Sequence, residues 1–232
     1  MDARRATLFN LNARKEIAMP IKLVICDVDG TILQSFGWQY IHQNLGTWDA
    51  AKEYSDQFFK NQITYEEWAR LDTALWKGQT IAKIREIIKR MPYATGARET
   101  IAILKRRGIG TYLLSAGLSQ VAERIQKETR IDGYTANTLL VKDGFLTGKV
   151  EVNVSFHNKD RNLPYILQRF NVTRNECAAV GDDPTLIPLF KKVALAIAFN
   201  PTSKEVEENA DVTVKNKDFR KILPYLLKNN RS

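Results

Sequence analysis

Short apolar runs recur along this chain, and three of them stop abruptly in polar residues. Leu23-Val-Ile-Cys26 gives way to Asp27-Val-Asp29-Gly30-Thr31. Gly110-Thr-Tyr-Leu-Leu114 gives way to Ser115-Ala116-Gly117, and Cys177-Ala-Ala-Val180 to Gly181-Asp182-Asp183-Pro184. Apolar runs that do not alternate with polar residues fit strands buried on both faces, as in a parallel sheet. Leu195–Phe199 and Val212–Val214 predict two further short strands. Leu139–Thr147 predicts a hairpin turning at Asp143-Gly144. Between the strands the period becomes helical. One helix begins at Thr95-Gly-Ala, carries Ile101, Ile103 and Leu104, and stops at Gly108. Others run from about Ser119 to Thr129 and from Lys159 to about Phe170, and a last one contains Phe219, Ile222 and Leu226. Strands alternating with helices predict an α/β fold with a doubly wound parallel sheet.

Residues 35–92 break the alternation. They are rich in Trp, Tyr, Phe and charge, and mostly helical in period. Thr64 reads as a helix cap with Glu67 three residues on, and Met91-Pro92 closes the block. The expected organisation is a core of 19–34 and 93–232 with a helical insertion over 35–92. Residues 1–18 hold Arg4, Arg5, Arg14 and Lys15 with few acids, and Met19-Pro20 precedes the first strand. They read as a loosely attached extension, without the apolar segment of a secretory signal.

A length of 232 residues allows a full core, and the hydrophobic (44%) and charged (26%) fractions are ordinary for a soluble globular protein. No run reaches membrane-spanning length. The two cysteines, Cys26 and Cys177, sit in apolar segments and read as buried thiols of a reducing, cytoplasmic compartment. The net charge of +9 raises the question of nucleic acid. The basic residues are dispersed through helices such as Ile81–Arg90, which argues for a solvated surface that attracts anionic small molecules instead.

The polar strand ends carry the chemistry. Residues i and i+2 of an extended segment point the same way, so Asp27 and Asp29 face one spot. Converging carboxylates repel unless a cation neutralises them, and Mg²⁺ suits a site of few carboxylates, water and phosphate oxygens. In a parallel sheet all three loops share one edge, where ligands bind. Asp27 is the expected nucleophile and Asp29 the acid/base. Asp182 would join Asp27 on the metal, Ser115 and the amides of Ala116 and Gly117 would hold phosphate oxygens, and Lys159 would balance the charge.

Together, Asp27-x-Asp29-Gly-Thr31, the strand-ending Ser115, Lys159 and Gly181-Asp182-Asp183 resemble the haloacid dehalogenase superfamily of phosphatases. Over residues 20 to about 228 the chain is most similar to the phosphoserine phosphatase branch. Leu140–Gly148 and Phe190–Phe199 look like that branch as well. The resemblance implies a Rossmann-like core, a small helical cap over 35–92, a covalent Asp27 intermediate, and Mg²⁺ held by Asp27, Asp182 and the Asp29 carbonyl. Three departures stand out. The glutamate that meets the substrate amine in that branch has no counterpart in Gln34-Ser-Phe36-Gly-Trp38. Asp72 falls where the branch has a cap arginine, with Arg70 nearby. The distal acid of the last motif is Leu186, with Thr31 and Asp183 left as supports for the metal ligands.

The expected function is therefore a Mg²⁺-dependent phosphomonoesterase acting on a small phosphorylated metabolite, with phosphoserine a poor substrate. Phe36, Trp38, Arg70 and Asp72 are candidates for specificity. A phosphotransferase with the same nucleophile, and a basic nucleic-acid or protein-binding module with a vestigial site, are the alternatives. No membrane partner is expected, and the oligomeric state would be monomer or homodimer.

Overall fold

The computed structural model describes residues 19–228; the extension expected over 1–18 lies outside the described residues. Seven strands form one sheet: β1 (Leu23–Cys26), β2 (Gly110–Leu118), β3 (Gly133–Lys142), β4 (Phe145–Glu151), β5 (Cys177–Gly181), β6 (Leu195–Phe199) and β7 (Val212–Val214). Their order is β4-β3-β2-β1-β5-β6-β7, and only the β3–β4 pair is antiparallel. The doubly wound α/β expectation holds. β1 is central, with Leu23 opposite Gly110 on one side and Cys177 on the other.

Alternation along β1 explains its uninterrupted apolar sequence. Val24 and Cys26 enter the hydrophobic core on one face of the sheet, Leu23 and Ile25 the core on the other. Both cysteines are buried and unpaired, as expected. The β3–β4 hairpin is longer than its sequence signal, because its strands extend well beyond the apolar stretch. Its turn is as predicted: Asp143 and Gly144 have φ of 53° and 82°, the two positive values of a tight primed turn.

Between β1 and β2 lie α1 (Gly37–Leu45), α2 (Trp48–Phe59), α3 (Tyr65–Ala74), α4 (Ile81–Lys89) and α5 (Ala97–Arg106). The helices α6 (Ser119–Thr129) and α7 (Leu163–Phe170) follow. Lys159 opens a 3₁₀ turn, Lys159–Asn162, ahead of α7 rather than the helix itself. Likewise the last predicted helix divides into a 3₁₀ turn, Phe219–Ile222, and one α-turn, Leu223–Leu226, with Pro224 in the first turn of the latter. No described helix is long and apolar enough to cross a membrane.

Helices α1–α4 connect to the strand ends through an aromatic cluster of their own. Phe58, Tyr65 and Ala69 are its buried centre, packed by Trp38, Trp68, Phe156 and Ala116. Helix α3 starts where Thr64 accepts a hydrogen bond from Glu67 N at 3.1 Å. The Glu67 carboxylate turns to Arg70 at 3.7 Å. Replacing Thr64 by Ala removes the cap acceptor and should cost about 1 kcal/mol in urea unfolding. An unchanged midpoint would show that the cap contributes nothing.

Candidate active site

The C-terminal ends of β1, β2 and β5 open into a cavity of about 220 Å³, with Asp27, Asp29, Ser115, Lys159 and Asp183 in its wall. Asp27 is 2% exposed and held through both oxygens. Oδ1 accepts from Val28 N at 2.7 Å, and Oδ2 takes the Lys159 ammonium at 2.5 Å. Burial works to lower the Lys159 ammonium, yet Asp27 and Asp183 outweigh it and hold it above its ordinary value. Burial pushes the Asp27 carboxyl up, with the charge and hydrogen bond of Lys159 opposing it; the contact is a buried lysine–aspartate pair.

Asp29 lines the same cavity as Asp27 and accepts from Gly37 N at the start of α1 at 2.9 Å. Burial, then the charge of Asp27, pushes its carboxyl up to about 7. Asp182 is 2% exposed and follows β5 directly. Burial and Asp27 push it up to about 8, and its Oδ1 accepts from Thr31 Oγ1 at 2.8 Å. Gly30 makes this approach possible. It has φ of 70°, and a Cβ there would stand 2.2 Å from Asp182 Oδ2.

Ser115 Oγ accepts from Gly117 N at 2.8 Å, which leaves the hydroxyl proton for the cavity. The Gly117 amide is thus spent within the chain, against the expectation that it would hold phosphate. Ala116 still lies within β2, not at a helix start. Its carbonyl gathers Trp38 Nε1 (3.2 Å), Tyr65 OH (2.5 Å) and Asn137 Nδ2 (2.8 Å), tying the helical block to the strand end. Asp183 lines the cavity, but its carboxylate caps the next turn, accepting from Thr185 N at 2.9 Å. Leu186 is buried against Gly181.

Phe36, Trp38 and Asp72 line the cavity; Arg70 does not. Arg70 is exposed and faces Glu67, so its candidacy for specificity fails on position. Two residues passed over in the sequence belong here. Tyr65 bridges Ala116 and Asn137, and His42 is 1% exposed beside Asp72 and Trp76. A histidine solitary in sequence gave no sign of either neighbour.

Among the described residues no three His, Cys, Asp or Glu side chains form a ready-made metal cage. Mg²⁺ does not require one, since it takes one or two carboxylates and fills its sphere with water and phosphate oxygens. Asp27 and Asp182 fit that donor set. The acids at the strand ends outnumber Lys159, the one Lys or Arg among the cavity residues, and that imbalance adds to burial in raising Asp29 and Asp182.

The haloacid dehalogenase-like hydrolase family matches residues 21–193. Phosphoserine phosphatase of Methanocaldococcus jannaschii is 33% identical over 207 residues, covering 88% of this chain and 97% of its own length. Two solved structures described as phosphoserine phosphatases are each 31% identical. The phospho-aspartyl intermediate analogue has a TM-score of 0.78, with 90% of this chain and 100% of that one covered. The substrate-bound complex has a TM-score of 0.79, with 90% and 99% covered.

A carboxyl raised from 3.8 to about 8 keeps its proton in the folded metal-free protein long after the unfolded chain has lost it. Folded protein then binds more protons between about pH 4 and 8, and stability falls as pH rises through that window. Asp182→Asn removes this loss while keeping an acceptor for Thr31. Its melting temperature should exceed wild type at pH 8 by roughly 2–4 °C per kcal/mol regained, with the gap closing towards pH 4. A gap independent of pH would contradict the assigned proton.

Proposed function

The chain belongs to the haloacid dehalogenase-like hydrolases, as a phosphatase similar to the phosphoserine phosphatases, and from that premise we propose that it hydrolyses a small phosphate monoester through an aspartyl-phosphate on Asp27. The observation that carries this reading is the buried Asp27–Lys159 pair, set beside Asp29 and Ser115 at one cavity. One of the similar structures is described as a phospho-aspartyl intermediate analogue, which agrees with it. Helices α1–α4 act as the cap in this reading, and the remainder as the core.

The chemistry follows from the residues. An Asp27 oxygen attacks phosphorus, and the bond to the leaving oxygen breaks. Asp29, whose carboxyl is raised to about 7, gives its proton to the leaving alkoxide. The resulting Asp29 carboxylate then takes a proton from the water that attacks the acyl-phosphate, and inorganic phosphate departs. Lys159 favours the ionised form of Asp27 against the effect of burial and meets the phosphoryl oxygens, while Ser115 donates its hydroxyl proton to one of them. Asp27, Asp182 and the Asp29 carbonyl would hold Mg²⁺, which when bound supplies Lewis-acid stabilisation of charge on the phosphoryl group. Thr31 orients Asp182 for that role. Asp183 shapes the rim from its capping position.

Two free, buried cysteines support a reducing, cytoplasmic setting. The small cavity, rich in aromatic side chains, supports a small metabolite over a phosphorylated macromolecule.

Asp27→Asn keeps the volume and removes the nucleophile. It should lower kcat for p-nitrophenyl phosphate with Mg²⁺ by about 10³-fold or more, in protein that keeps the wild-type circular-dichroism spectrum but melts lower, because Lys159 loses its counter-charge. Chelation with EDTA should likewise silence the wild-type protein, reversibly. Asp182→Ala should raise the Mg²⁺ requirement more than Asp183→Ala. Activity near wild type in Asp27→Asn would overturn the covalent route.

A further inference from the structure

Asp72, on α3, is 3% exposed and lines the same cavity as Asp27 and Lys159. Its Oδ1 accepts no hydrogen bond, and its Oδ2 lies 3.5 Å from His42 Nε2. The indole of Trp68 is close by, and its Nε1 likewise has no hydrogen-bond partner within bonding geometry.

His42 is not a counter-ion for this carboxylate. Trp76 Nε1, a group that can only donate, points at His42 Nδ1 at 3.0 Å. The Thr47 hydroxyl meets the same nitrogen at 2.8 Å. Nδ1 is therefore an acceptor, the single ring proton sits on Nε2 facing Asp72, and the imidazole is neutral. Arg70, two residues away, is on the outer surface beside Glu67. Lys159 belongs to Asp27. No other Lys or Arg is among the cavity residues, so Asp72 has no cationic partner there.

The rest of the wall completes the pattern. Trp38, Trp48, Phe59, Tyr65, Trp68 and Phe156 line the cavity, and aromatic faces attract cations. A leaving group bearing a carboxylate would find no arginine to receive it and would meet the like charge of Asp72.

We propose that the cavity receives the leaving group as an alkylammonium without a carboxylate, with Asp72 as its counter-ion, so that the substrate is the phosphate monoester of an amino alcohol. This rests on the phosphomonoesterase reading above. In the free protein burial pushes the Asp72 carboxyl up, with His42 and Trp68 only partly opposing; an arriving ammonium stabilises the ionised form.

The test compares kcat/KM of the full chain with Mg²⁺ on phosphocholine, phosphoethanolamine, phosphoserine, p-nitrophenyl phosphate and 3,3-dimethylbutyl phosphate. The last is the neutral isostere of phosphocholine. The cationic esters should exceed both the isostere and phosphoserine by about tenfold or more. In Asp72→Asn the ratio of phosphocholine to its isostere should fall by about tenfold or more, chiefly through KM. Because that readout is a ratio within one preparation, partial misfolding does not imitate it. Turnover of p-nitrophenyl phosphate with the isostere or phosphoserine matching the cationic esters would overturn this inference alone. A protein inert towards every ester would overturn the phosphomonoesterase reading and the inference with it.

Discussion

The contact on which the site depends is the 2.5 Å pairing of Lys159 with Asp27, both almost fully buried. A charge pair taken out of water costs several kcal/mol per ion before attraction repays it, and removing either partner strands the other. Such a pair contributes little net stability. Its value is that it fixes the Asp27 carboxyl group in one rotamer at the cavity wall. The sheet makes this possible. Parallel pairing of β1 with β2 and β5 brings Asp27, Ser115 and Asp182 to one edge, and the turn ahead of α7 delivers Lys159 to the same edge.

One lysine does not balance the acids gathered there. Burial and the neighbouring charge of Asp27 raise the carboxyls of both Asp29 and Asp182, and a divalent cation on Asp182 would release the proton held there. The same crowding dictates local backbone. Gly30 turns with positive φ because a side chain would collide with Asp182, and Gly181 is bare because a Cβ would stand 1.8 Å from Leu186 Cδ1. Asp72 poses a second version of the problem. It is an acid under aromatic cover whose neutral histidine neighbour does not match its charge.

The sheet was readable in the sequence because strands buried on both faces must be apolar throughout, and each such run was found. The candidate catalytic residues could be placed together from the sequence because the residues that end strands are fixed to the sheet edge whatever the loops do. Helix α3 announced itself through Thr64. Other features had no local signal. The two-part helices after Lys159 and at Phe219 reflect proline and 3₁₀ geometry that apolar periodicity does not encode. The side of α3 that faces the cavity depends on how α1–α4 pack, so Arg70 and Asp72 were equal candidates until packing turned one outward. His42 looked solitary because Asp72 and Trp76 lie far from it in sequence. Gly117 looked free to bind phosphate because a bond to Ser115 two residues earlier leaves no mark on composition.

The central claim is that Asp27 carries the phosphoryl group between two half-reactions. Enzyme turning over ³²P-labelled monoester can be quenched in acid, digested and mapped by mass spectrometry. The label should appear on the peptide containing Asp27, survive acid and be released by hydroxylamine, as an acyl-phosphate is. Label on a serine, histidine or lysine, or full turnover with no labelled peptide at any quench time, would contradict it.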